Sequence, residues 1–83
     1  MNVKELIEIL SEYPSDMEVT ITYGKGGFNP VTIVDFMTLV SNYNEGKNLS
    51  SFNRGLHEDY DYVELIDEQN IHNYSIQDYI VIK

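Results

Sequence analysis

Met17-Glu18-Val19-Thr20-Ile21-Thr22-Tyr23 alternates strictly between apolar and polar residues. A period of two places Met17, Val19, Ile21 and Tyr23 on one face of an extended chain and Glu18, Thr20 and Thr22 on the other. Val, Ile, Thr and Tyr also pack well on a pleated surface. The stretch therefore predicts a strand with one buried face, and the rest of the chain must pair with it or pack over it. With 83 residues, the expectation is a single domain spanning residues 1–83. A chain of this size buries only about 60–65% of the surface its unfolded form exposes. There is no cysteine, so neither a disulfide nor a thiolate metal site supplements the core. That fits a reducing compartment.

A helix precedes the strand. Asn2 is placed to cap the amide of Glu5, and the Glu5 side chain to reach back to the amide of Asn2. Val3, Leu6, Ile7 and Leu10 then follow the spacing of one helical face. Pro14 disfavours helical geometry at Tyr13, and Tyr13-Pro14-Ser15-Asp16 reads as a turn. After the strand, Gly24-Lys25-Gly26-Gly27 permits positive φ and predicts a reversal into a hairpin. It does not match a phosphate-binding loop, because Gly26 stands where Ser or Thr would follow the lysine. Val31 to Val40 reads as a second strand, with a bulge or bend near Asp35 where a carboxylate interrupts the apolar face. Tyr60 to Leu65 reads as a strand with mixed faces, and Tyr79-Ile80-Val81-Ile82 as a central strand. The predicted fold is α+β: one N-terminal helix packed on a mainly antiparallel sheet of three to five strands. The predicted core is Leu6, Ile7, Leu10, Val19, Ile21, Val31, Ile33, Ile80 and Ile82.

Between these elements, Ser41 to Gly55 is polar and aperiodic, and predicts a mobile loop at 41–55. Tyr43, Leu49 and Phe52 are apolar enough to dock on the body or on a partner. Tyr43, Phe52 and Arg54 are the loop's candidate recognition residues.

Fourteen acids against five bases give a net charge of −9. Such a charge repels nucleic acid phosphates and anionic membrane surfaces. No apolar run approaches the roughly 18 residues that span a bilayer, and the N-terminus lacks the basic-then-apolar pattern of a secretory signal. The expectation is a soluble cytoplasmic protein, monomeric or homodimeric. Seven of the acids lie between Gly55 and Ile82, a stretch with no lysine or arginine. Carboxylates interleaved with tyrosines suit a basic protein surface, since tyrosine supplies apolar area and a hydroxyl at low entropy cost. The candidate binding residues are Glu58, Asp59, Tyr60, Asp61, Tyr62, Glu64, Asp67 and Glu68. The plain alternative is a solvated acidic face that keeps the protein soluble.

His57-Glu58-Asp59-Tyr60-Asp61 is the densest polar cluster, but its spacing matches neither an EF-hand loop nor His-Glu-x-x-His. His72 stands alone in a polar stretch. No nucleophile elbow and no singled-out carboxylate pair is present. The sequence predicts no catalytic residue, no metal and no cofactor.

The segments Met1 to Leu10 ("VKELIEIL"), Tyr13-Pro14-Ser15-Asp16-Met17-Glu18-Val19 and Gly26-Gly27-Phe28-Asn29-Pro30-Val31 together resemble the opening of small uncharacterised bacteriophage and prophage proteins. The likeness covers the chain to about Val40 and its last few residues, and the Ser41–Gly55 region departs from it. The resemblance implies a phage product made inside a bacterium. Small acidic phage proteins often bind and block host proteins, CRISPR and other defence machinery among them. Taken with the acidic Glu58–Asp78 segment, the expected partner is a bacterial host protein with a basic surface, for example one that otherwise holds nucleic acid. The competing reading is an oligomer that sequesters a nucleotide signal, or a metal-dependent enzyme.

Overall fold

The computed structural model describes residues 1–22, 27–47 and 55–83. Helix α1 spans Val3–Leu10, β1 Val19–Ile21, β2 Val34–Val40, β3 Glu58–Asp59, α2 Tyr60–Ile66 and β4 Ile76–Ile82, with a 3-10 turn at Ile71–Asn73 before β4. The class is α+β. The four strands form one sheet in the order β1-β4-β2-β3. Two of its three pairings are antiparallel, and β1 runs parallel to β4.

Helix α1 begins as its sequence dictates. The Glu5 amide donates to Asn2 Oδ1 at 2.8 Å and the Asn2 amide to Glu5 Oε1 at 3.2 Å, so two amides without helical partners are satisfied reciprocally. The helix ends at Leu10, with Ser11 as its C-cap and the Pro14 turn following. The apolar run at the C-terminus forms the central strand β4, hydrogen-bonded on both edges.

The connection after β1 differs from the hairpin expectation. Residues 23–26 lie outside the described set, but β1 and β2 are not neighbours, because β4 sits between them. Strands two places apart are roughly 9–10 Å from each other, too far for a tight turn. The chain instead passes the end of β4, where the Thr32 amide donates to the Lys83 carbonyl at 3.1 Å. No bulge occurs at Asp35: β2 pairs with β4 without interruption from Val34↔Ile82 to Val40↔Ile76. Asp35 is tolerated at the sheet end because Lys83 Nζ lies 3.1 Å from its carboxylate.

Tyr60 to Leu65 is helical rather than extended. Asp59 caps the helix by accepting the Asp61 amide at 2.8 Å. Tyr60, Val63 and Asp67 then fall on one side at helical spacing, and Val63 is fully buried. Six residues are too few to separate the two periods, and the strand reading fits the same letters.

The core also sits elsewhere than predicted. Both helices lie on one face of the sheet, and the larger buried cluster fills the α2 end: Val40, Tyr43, Val63 and Ile71, with Tyr60 and Tyr74 packed against it. A second cluster, Leu39, Tyr79 and Val81 with Met37, occupies the opposite face. Of the predicted core only Ile80 is buried, and Leu6, Leu10, Val31 and Ile82 are half-buried. Ile7, Val19, Ile21 and Ile33 are exposed. The reason is topological. The alternation placed Val19 and Ile21 on one face correctly, but β1 is a three-residue strand at the edge of the sheet, with β4 as a neighbour on one side only. Among the described residues, no helix is long and apolar enough to cross a membrane.

Candidate functional site

Two surfaces concentrate the polar side chains. The first is a groove of about 320 Å³ on the sheet face away from the helices, lined by Thr20, Met37, Leu39, His57, Val81 and Lys83 among others. Its organising residue is His57, whose ring stacks on Tyr79 with centroids 4.9 Å apart. The Asn42 amide donates to His57 Nδ1 at 2.9 Å, which makes that ring nitrogen the acceptor of the contact. Asn42 adopts φ 57°, a left-handed conformation that asparagine accepts more readily than most residues. That turn aims the amide at the imidazole. Nearby, Ser41 Oγ and the Tyr79 hydroxyl are 2.6 Å apart and buried. Asn44 Nδ2 donates to the Gly55 carbonyl at 2.7 Å and to Glu58 Oε1 at 3.3 Å.

These contacts show what the groove's polar groups do. Nδ1 of His57 is committed to Asn42, Thr20 Oγ1 donates to the Ile80 carbonyl at 3.1 Å, and Lys83 pairs with Asp35. They tie the 41–47 turn and the strand ends together. Burial of Ser41 and Tyr43 follows, so the first half of the expected 41–55 loop is a turn fastened to the body. The Lys83 ammonium hydrogen bond, with the Phe36 amide second, holds the Asp35 carboxyl below its ordinary range.

The second surface is α2 and its flanks. The structure divides the eight predicted binding residues into two groups. Glu58 and Asp59 form β3 opposite Val40 and Leu39; there Glu58 accepts from Asn44 and Asp59 caps α2. Tyr60 packs on the larger core cluster. Asp67 accepts from the Tyr43 hydroxyl at 3.0 Å and from Asn70 Nδ2 at 2.8 Å. These four are parts of the architecture. Asp61, Tyr62, Glu64 and Glu68 are exposed, and they share the outer surface with two apolar residues that the sequence reading did not single out, Leu65 at 84% and Ile66 at 53% exposure.

Of the loop candidates, Phe52 and Arg54 lie outside the described residues. Tyr43 docks on the body at 7% exposure, its ring tilted against Tyr74 with centroids 5.0 Å apart and Lys47 Nζ 3.1 Å from its ring centre. Burial, then the Asp67 hydrogen bond, pushes its hydroxyl up to about 12. A helical wheel over 60–66 would have found Leu65 and Ile66. His57's role had no local signal, because its partners Asn42 and Tyr79 are far away in sequence.

Among the described residues, no three histidine or acidic side chains converge as a metal site requires. No family model, curated protein or solved structure matches the chain.

Proposed function

We propose that this chain is a non-enzymatic binding protein of the bacterial cytoplasm that docks its α2 surface onto a basic face of a host protein and blocks it. The supporting observation is the composition of the α2 outer face: Asp61, Glu64 and Glu68 stand beside the exposed Leu65 and Ile66. Leu65 is 84% and Ile66 53% exposed, so two consecutive apolar side chains stand among the acids. Carboxylates steer a basic partner and fix its orientation, and the apolar side chains become the desolvated anchors. No basic residue stands in the last turn of α2, and none between Gly55 and Ile82 offsets the acids. The fitting target surface is therefore one rich in arginine and lysine, such as a surface that otherwise holds phosphates.

The test is affinity capture from a bacterial lysate with wild type beside two folded variants. One carries Asp61→Lys, Glu64→Lys and Glu68→Lys; the other carries Leu65→Ser. Glu58 and Asp59 are left intact because they hold the fold. A basic protein retained by wild type and lost by both variants is the expected result. Equal retention by all three, or retention of no basic protein, refutes the reading.

A further inference from the structure

The outer edge of β2 is only partly covered. β3 runs beside it for two residues, Glu58 opposite Val40 and Asp59 opposite Leu39, because the chain turns into α2 at Tyr60. On its other side β2 pairs with β4 along its whole length. The phase of that pairing fixes what the outer edge offers. The Lys83 amide donates to the Ile33 carbonyl at 2.9 Å and the Ile33 amide to the Lys83 carbonyl at 3.5 Å. Hydrogen-bonded pairs alternate along an antiparallel ladder, so Asp35, Met37 and Leu39 turn their backbone groups to β4. Val34, Phe36 and Thr38 turn theirs outward. The Phe36 amide is taken by Asp35 Oδ1 at 2.8 Å. Among the described residues, the Val34 and Thr38 amides and the Val34 and Phe36 carbonyls have no partner. A notch of about 350 Å³ lies in line with β3 where that strand stops, walled by Phe36, Met37, Thr38, Asp59, Tyr60 and Asp61.

From this geometry we infer that the open edge of β2 takes up an extended basic peptide segment of a partner protein, which adds as a strand in line with β3. The site shares Asp61 with the α2 face but stands on the backbone of β2, so it does not depend on the α2 reading. Two independent features select the occupant. Outward amides and carbonyls at every second residue match the backbone of an extended chain, as in other strand-addition complexes. The notch then sets the side chain. Asp59 and Asp61 wall it and no lysine or arginine does, while the half-exposed Phe36 ring gives an apolar flank. A lysine or arginine fits there, its stem along the ring and its charge at the carboxylates. A second copy of this chain is disfavoured at the edge, because an acidic segment would meet acids.

The test is a titration of the ¹⁵N-labelled full chain with the capped peptide Thr-Lys-Val-Lys-Thr-Lys-Thr, beside its counterpart with glutamate for every lysine. The lysine peptide should shift the Val34–Thr38 and Asp59–Asp61 amides and slow hydrogen exchange at Val34 and Thr38, and the glutamate peptide should do neither. N-methylating one alternate set of peptide amides should abolish binding, and N-methylating the other set should spare it. Asp61→Asn should weaken binding roughly 3- to 10-fold. Thr38→Pro removes an outward amide and no bond to β4, and should weaken it roughly 10-fold in a chain whose circular dichroism is unchanged. Leu65→Ser, which disables the α2 anchor, should leave peptide binding as it is. No shift at millimolar peptide, shifts confined to Glu64 and Glu68, equal binding of the glutamate peptide, or equal effects of the two N-methylated sets overturns the proposal. So does a concentration-dependent shift of the Val34–Thr38 amides without peptide, which would give the edge to a second copy. The N-methylated peptides need no variant to fold.

Discussion

Replacing Val63 with alanine, beside Leu65 with alanine, decides whether 60–66 is packed as a helix. In a strand the two side chains share one face, and their truncations should cost similar amounts. In the helix, Val63 has no exposed surface and packs with Val40, Tyr43 and Ile71, while Leu65 is 84% exposed. Val63→Ala removes two buried carbons, about 0.8 kcal/mol each in transfer terms. The cavity left among rigid neighbours adds to this, giving about 1.5–3 kcal/mol in all. Leu65→Ala exchanges one good helix former for another at an exposed site and should stay within about 0.5 kcal/mol. A domain of this length has roughly 4–12 kcal/mol of total stability. With a urea m-value of about 1 kcal/mol/M for so small a chain, the Val63→Ala midpoint should fall by about 1.5–3 M and the Leu65→Ala midpoint should barely move. Both should be read by circular dichroism at one low protein concentration, so that association does not enter. Equal shifts for the two variants, or the larger shift for Leu65→Ala, would refute the placement of α2 and of the core beneath it.

Two further predictions concern pH. The Tyr43 hydroxyl is raised to about 12, so the folded state favours the neutral phenol. Its stabilisation is complete below the unfolded value near 10 and is lost as pH rises from there through about 12. Phenolate absorbance should show a late-titrating component that is absent in Tyr43→Phe, and that variant should lose about 0.5–1.5 kcal/mol at neutral pH. Asp35 is lowered by Lys83, so its contribution is present above the unfolded carboxylate value near 3.9 and disappears as pH falls through the folded value. Asp35→Asn should remove that part of the acid dependence and little else, because the pair is solvent-exposed. An unaltered acid limb in urea-unfolding curves would count against the ion pair.

What the sequence determined by itself is mostly local. Asn2 and Glu5 lie three residues apart, so their capping box is written in one turn of chain, and Pro14 ends the N-terminal helix region for an equally local steric reason. The unbroken apolar run Tyr79 to Ile82 needs apolar cover on both faces, which made a central strand legible. The acidity of the C-terminal third is plain composition, but which of its acids face outward is not: Asp59 and Asp67 became caps and acceptors, while Asp61, Glu64 and Glu68 stayed exposed. Tertiary structure alone decided three things. It made Tyr60–Ile66 a helix, because burial of Val63 against Val40 and Ile71 selected one of two periods that a six-residue window holds equally well. It placed β1 beside β4, since strand partners depend on contacts some 60 residues apart rather than on the glycines that follow β1. It moved the core away from the strongest alternating strand. An edge strand of three residues has neighbours on one side only, so the face that the alternation creates in Val19 and Ile21 stays uncovered within a single chain.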